Sequence, residues 1–321
     1  MPSVAIGVDL GASHLSVGFV DCHGKVHEKK IARIDNTAPA KVTLAFMAEV
    51  IKSLTPKGEK ICGVGLGLPG NHDSKRGICH VSPNFQAWHE VPVTEILSKS
   101  LNMNVWMLND VRMATLGELH FGAGKGIDNL VMIAIGTGIG GGVVINRKLL
   151  IGPDEAAGEI GHITILPNGP LCNCGNRGCL EALATGPAIA ARGAEAILHG
   201  RAPILKKKIT QLEDLDAKII AEAALEGEEA SLEIIEEAGE ALGIAIASLA
   251  LILNPDRFIL GGGVALTGKP LFSAIHHTLN ERLHFIKPSV VKIVPASLGV
   301  EAGLIGSGAY ALIKAGELAY E

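Results

Sequence analysis

Cys172, Cys174 and Cys179 fall inside one eight-residue stretch, and His162 stands one short hairpin upstream. Three thiols and an imidazole make up the ligand set of a closed tetrahedral zinc site. Gly175 and Gly178 lie between the second and third thiols, where a chain folding back on an ion needs conformations that a Cβ forbids. Three reduced thiols in a loop, or one disulfide, would be the plainer account. Cys-x-Cys, however, is badly placed to bridge itself, and cytosolic thiols are usually reduced. Structural Zn2+ held by His162, Cys172, Cys174 and Cys179 is therefore expected.

Three glycine turns each follow an apolar run: Asp9-Leu10-Gly11-Ala12-Ser13, Gly136-Thr137-Gly138-Ile139-Gly140 and Gly261-Gly262-Gly263. Polyphosphate binding needs backbone N–H groups at close approach, which glycine permits. A single turn of this kind is ordinary hairpin punctuation, but three at matching places point to a nucleotide. None is a P-loop, since no Gly-Lys-Ser/Thr follows. Asp9, read alone, is a turn-capping aspartate.

Asn109-Asp110 lies between an apolar run and a helical pattern, at a strand end where a side chain reaches the rim of a cleft. An N-cap role would account for Asp110 by itself. A carboxylate there could equally accept the proton of an alcohol during phosphoryl transfer. Asn84 follows Pro83, as turn asparagines often do, and Glu181 alone reads as a solvated first-turn glutamate. Hydroxyls donate and accept at once, so a ring of Asn, Asp, Glu and His suits a sugar.

The stretch Gly158-Glu-Ile-Gly-His162 followed by Cys172-Asn-Cys-Gly-Asn-Arg-Gly-Cys-Leu-Glu181 resembles the signature of the ROK family of sugar kinases and sugar-responsive repressors, and the phosphate turns extend the likeness over nearly the whole chain. The resemblance implies that Asn84, Asn109, Asp110, Glu159, His162 and Glu181 contact a hexose, with Asp110 acting as catalytic base; Gly67 and Gly70, around Pro69, are expected to floor that pocket. It implies that Gly11, Ala12, Ser13 and His14, together with Gly136, Thr137, Gly138 and Gly140, clamp the phosphates of ATP. Asp9 would hold Mg2+ through water, and Gly261, Gly262 and Gly263 would face adenosine. The first loop departs from the family, in which Gly-Gly-Thr followed by Lys or Asn is usual. Ser13 keeps the hydroxyl, Ala12 would cost about 1 kcal/mol or more if a positive φ is required there, and a neutral His14 gives no steady countercharge. Because the phosphate loops lie elsewhere in sequence, loss of the knuckle is expected to weaken sugar binding and spare the nucleotide.

These groups need elements to carry them. Val4 to Val8, Leu15 to Val20 and Val26 to Ile31 read as a three-strand meander, and 130–135, 141–145 and 148–151 repeat it. Helical periodicity covers 38–54, 111–121, about 230–253 and about 302–314, with strands at 61–67, 105–108 and 257–260. The second half of the long helix is apolar on every side and should be buried. The expected fold is a duplicated α/β, actin-like sugar kinase of two lobes around a cleft. One lobe would take 1–110 plus about 302–321, and the other 111–301 with the knuckle.

The chain has 321 residues, 48% of them hydrophobic and only 3% aromatic, with 40 glycines and a net charge of −5. That charge argues against a nucleic-acid surface. A strand starting at the fourth residue leaves no room for a secretory signal or an upstream helix-turn-helix, so a cytoplasmic enzyme is expected rather than a sugar-sensing regulator. No apolar stretch is long enough for a membrane span. The reading is ATP-dependent phosphorylation of a hexose at its 6-hydroxyl, glucose first. Fructose, mannose, allose, N-acetylglucosamine and N-acetylmannosamine are the alternatives, and the resemblance implies a homodimer or homotetramer.

Overall fold

The computed structural model describes residues 3–54 and 61–319. Strands β1 (Val4–Leu10), β2 (His14–Asp21) and β3 (Val26–Arg33) form the first meander, followed by helix α1 (Ala40–Leu54) and strand β4 (Ile61–Leu68). A small sheet, β5 (Asn71–Asp73), β6 (Ile78–Ser82) and β7 (Phe85–Val91), precedes α2 (Val93–Leu101), β8 (Val105–Asn109) and α3 (Asp110–Phe121). The second meander is β9 (Leu130–Ile135), β10 (Ile139–Ile145) and β11 (Lys148–Leu149). Helices α4 (Leu180–Ala184), α5 (Gly186–Leu198), α6 (Pro203–Lys208), α7 (Ala217–Leu225) and α8 (Glu229–Leu253) lead to β12 (Arg257–Gly261), α9 (Lys269–Arg282), β13 (Ile293–Pro295) and α10 (Ala302–Lys314).

The two large sheets share one plan. Their orders are β3-β2-β1-β4-β8 and β11-β10-β9-β12-β13, so each meander is extended by two further strands from its first member. β1 pairs antiparallel with β2 and parallel with β4, and β12 lies parallel between β9 and β13. The chain divides into two compact units. The first holds the described residues up to Asp128, Gly142–Ala157 and those from Ala296 on; the second holds Asn129–Gly141 and Gly158–Pro295.

In the first unit, β1 and β4 are buried almost throughout, which is why they read as continuous apolar runs rather than alternating ones. Helix α10 packs against β1, β4 and α3 and buries Leu304, Ile305, Tyr310 and Leu312. Its start is pinned by Glu118 of α3, a fully buried carboxylate that accepts from the Ala123, Ser297 and Leu298 amides and the Ser297 hydroxyl. Four donors replace the water such a charge gives up.

The small sheet was not expected. In β7 the buried residues are Phe85, Trp88 and Val91, every third position, because Glu90 takes a positive φ of 50° and the β6–β7 register shifts. A search for alternating burial passes over such a strand.

In the second unit α8 packs along α9 and α7. Its C-terminal turn corrects the expectation of full burial, since Leu251 is 50% and Ile252 75% exposed. Asn254, in the left-handed conformation at φ 43°, ends the helix there. No helix among the described residues is long and apolar enough to cross a membrane.

Candidate active site and metal centre

The first unit gathers Asp9, the turn 11–14, Pro69-Gly70, Asn84 and Asn109-Asp110. β1 and β4 are parallel neighbours, as are β4 and β8, with Asp9 opposite Gly67 and Leu68 opposite Asn109. The parallel register thus brings Asp9, the Pro69 turn and Asp110 to one end of one sheet.

Asn109, not Asp110, caps α3: its side chain accepts from the amides of Val111 and Arg112 at 3.0 and 3.3 Å. Asp110 is the first helical residue, half-buried, and one of its carboxylate oxygens lies 2.9 Å from the Val111 amide. The capping explanation of Asp110 is thereby transferred to its neighbour.

Asp9 has its pKa raised to about 7, first by burial and then by the Asp110 charge, with Lys29 opposing. Lys29 itself pairs with Glu301 at 2.9 Å, just ahead of α10. The first turn of α10 presses on the carboxylate, since a Cβ on Gly303 would come within 2.8 Å of Asp9. Two neighbouring carboxylates, one of them poorly solvated, favour a cation between or beside them.

In the turn 11–14 Gly11 N–H donates to the His14 carbonyl at 2.9 Å, and the Ser13 hydroxyl lies 2.7 Å from His14 Nδ1. Ala12 is not among the residues with positive φ. The strain expected of an alanine at that position is therefore absent.

Asn84 sits in the two-residue turn between β6 and β7. Gly70 takes a φ of 115° beside that hairpin. A shell that sequence reasoning missed supports this region. His72 is buried, hydrogen-bonds the Pro69 backbone and has its pKa lowered to about 4, chiefly by burial. Arg112, two residues after Asp110 and also buried, donates to the carbonyls of Glu155 and Ala157, the latter at 3.0 Å. Glu155 stands at φ 52° and accepts from the Ser74 amide and hydroxyl at 2.7 and 2.6 Å. Only the buried arginine carried any signal in the sequence, as a cation on the apolar face of a helix.

The second unit carries the glycine turn 136–140, Glu159, His162, the cysteines, Glu181 and Gly261–Gly263. The ligand atoms of His162, Cys172, Cys174 and Cys179 all lie within 4.8 Å of one another. Cys172 Sγ is 3.8 Å from His162 Nδ1, and Cys174 Sγ is 3.7 Å from Cys179 Sγ. Zn–S bonds of about 2.3 Å put tetrahedral sulfur ligands about 3.8 Å apart. The quartet therefore fits such an ion. Gly175 and Gly178 have φ of 91° and 69°, and a Cβ on Gly178 would strike the Leu166 carbonyl. Burial pushes the Cys172 thiol up to about 12 and raises Cys179, while the amide of Asn176 lowers exposed Cys174. Two buried thiols need a cation before they lose their protons.

Glu159 precedes the short 3-10 turn Ile160–His162, and Glu181 lies in the first turn of α4, two residues after Cys179. One Glu181 oxygen accepts from the Ile139 amide at 3.0 Å, and the other lies 3.8 Å from Cys172 Sγ. The third glycine turn follows β12, with Gly262 at φ 83° against Ile135.

The ROK family model matches residues 5–315 of the chain. A glucokinase of Thermotoga maritima is 39% identical over 94% of this chain and 95% of its own. Among solved structures, a ROK family glucokinase from Streptomyces griseus in complex with glucose and AMPPNP superposes with a TM-score of 0.82 at 30% identity, covering 95% of this chain and 98% of that one. A ROK hexokinase from Thermus thermophilus gives 0.80 at 30% identity, covering 97% and 99%.

Proposed function

The chain belongs to the ROK family, and we propose that it is an ATP-dependent glucokinase that phosphorylates the 6-hydroxyl of glucose. The observation that carries the reading is the 39% identity to a glucokinase over 94% of the chain, with the whole ROK signature in place. In this reading Asp110 takes the proton of the sugar hydroxyl, the freed oxygen forms a bond to the γ-phosphorus, and the bond to the β,γ-bridging oxygen breaks to release ADP. Capping of α3 by Asn109 supports that role, because the Val111 and Arg112 amides keep the Asn109 acceptor whatever the Asp110 carboxylate does.

Asn84, Asn109, Glu159, His162 and Glu181 form the polar set for the hexose. The turns at Gly11 and Gly136 receive the phosphates, and Gly261–Gly263 the adenosine. Mg2+ beside Asp9 would neutralise phosphate charge, and the raised pKa of Asp9 fits a group that gains from a cation. The quartet of three cysteines and one histidine fits structural zinc, which would hold the Glu159 and Glu181 segments in place. A cytoplasmic homodimer or homotetramer completes the proposal.

The test is ADP release with Mg-ATP over a hexose panel, alongside metal analysis of the purified protein. Glucose is expected to give the highest kcat/KM and one zinc per chain to be found. Faster turnover of mannose or an N-acetyl hexosamine would reassign the substrate.

A further inference from the structure

The polar partners of Glu181 do more than face a sugar. Its carboxylate stands between two features that the sequence keeps far apart: it accepts from the Ile139 amide of the second phosphate turn at 3.0 Å, and its helix starts from the cysteine cluster at Cys179, with Cys172 Sγ 3.8 Å from its other oxygen. The glutamate is held where it can do this. Cys179 immediately precedes α4, and the Leu180 amide bonds the Ile163 carbonyl at 3.0 Å, next to His162. Two members of the metal quartet thus flank the turn that carries Glu181.

On the other side, the phosphate turn is shaped to receive a carboxylate. A Cβ on Gly138 would come within 2.9 Å of Glu181 Oε2, so a side chain there would push the carboxylate aside. Gly136 N–H donates to the Gly138 carbonyl at 2.9 Å, and the Gly136 carbonyl accepts from Gly186 at the start of α5. The amides of Gly136 and Ile139 are spent inside the protein, which leaves exposed Thr137 at the tip to meet a phosphate. A negative charge set against a phosphate turn is unfavourable on Coulombic grounds alone. Its presence there has to be outweighed by what it fixes, and a hydrogen bond to an ionised acceptor is among the stronger ones.

We infer that Glu181 is a positioning residue for the nucleotide turn as well as a sugar contact, and that it links the metal knuckle to nucleotide affinity. The inference rests on the kinase reading above and refines it. It reverses the expectation that loss of the knuckle spares the nucleotide.

The test titrates AMPPNP into sugar-free protein and glucose into nucleotide-free protein by calorimetry, for wild type, Glu181→Ala and Glu181→Gln. Glu181→Ala should bind AMPPNP about tenfold more weakly, the worth of one hydrogen bond to a charged acceptor. Glu181→Gln keeps an acceptor for the Ile139 amide, so its AMPPNP affinity should stay within about threefold of wild type while its glucose affinity falls. A folded Glu181→Ala that binds AMPPNP as well as wild type, or Glu181→Gln binding it more tightly through loss of repulsion, would overturn the inference. If thermal melting shows Glu181→Ala unfolded, Glu181→Asp decides: its carboxylate is one methylene short of Ile139, and unchanged AMPPNP affinity in that variant would refute the link. A wild type that binds neither ligand would sink the kinase reading instead.

Discussion

At the scale of single residues, the separation of duties between Asn109 and Asp110 matters most. A capping aspartate and a catalytic one make the same sequence, Asn-Asp before a helix, and only the side-chain bonds assign the cap to Asn109. Asp110→Asn should therefore leave thermal stability near wild type while kcat falls by roughly 10² to 10⁴, the usual worth of a general base. A stable variant with undiminished kcat would remove Asp110 from the chemistry. The clustering of His162 with Cys172, Cys174 and Cys179 was legible because the four are close in sequence and few residue sets share that spacing. The Glu181–Ile139 bond was not, since 42 positions separate the partners and a first-turn glutamate has a commonplace explanation. The cost attached to Ala12 depended on a positive φ that a glycine-rich turn suggests, and no residue of the turn 11–14 adopts one.

Among elements, α1, α3, α8, α10 and the strands of the two meanders were legible because apolar residues recur along them at helical spacing or in unbroken runs, whereas α2, α6, α7 and α9 were not read from the sequence. The β5–β7 sheet escaped because Glu90 breaks the period of β7, and its short strands carry polar residues such as His80 and His89. This hidden sheet is tied to α3 by the Ser74–Glu155–Arg112 cluster, whose side chains are 8% exposed at Glu155 and 3% at Arg112. Arg112→Met would strip two backbone carbonyls of their donor and leave the Glu155 carboxylate buried beside an apolar chain. The expected cost is about 3 to 5 kcal/mol in denaturant unfolding. Combining it with Glu155→Gln should recover part of that loss, because the uncompensated charge is gone. A single-variant cost under about 1 kcal/mol would place this cluster with ordinary surface pairs.

Over the whole molecule, the repeat of one sheet order in β3-β2-β1-β4-β8 and β11-β10-β9-β12-β13 accounts for glycine turns at equivalent strand ends. Stability of the whole chain should depend on pH through its buried imidazoles. His72 and His120 both have pKa values lowered to about 4, chiefly by burial, against an ordinary value of 6.5. Between those values the unfolded chain binds more protons than the folded one, so their contribution is complete above pH 6.5 and is lost as pH falls towards 4. Asp9 works in the opposite sense: with its pKa raised to about 7, it favours folding at acid pH and loses that contribution as pH rises through 7. Two imidazoles against one carboxyl leave a net fall in melting temperature on acidification from 6.5 to 4.5. His72→Asn should make that slope shallower, and an unaltered slope would mean His72 is not neutral in the fold.

The central claim is that this chain moves the γ-phosphoryl group of ATP to the 6-hydroxyl of glucose. Phosphorus and carbon NMR of a reaction with Mg-ATP and labelled glucose tests it most directly. Equal amounts of ADP and glucose 6-phosphate are predicted, with formation slowed in Asp110→Asn by the factor given above. ATP consumed with no phosphosugar formed, or phosphate found on the anomeric oxygen, would contradict it.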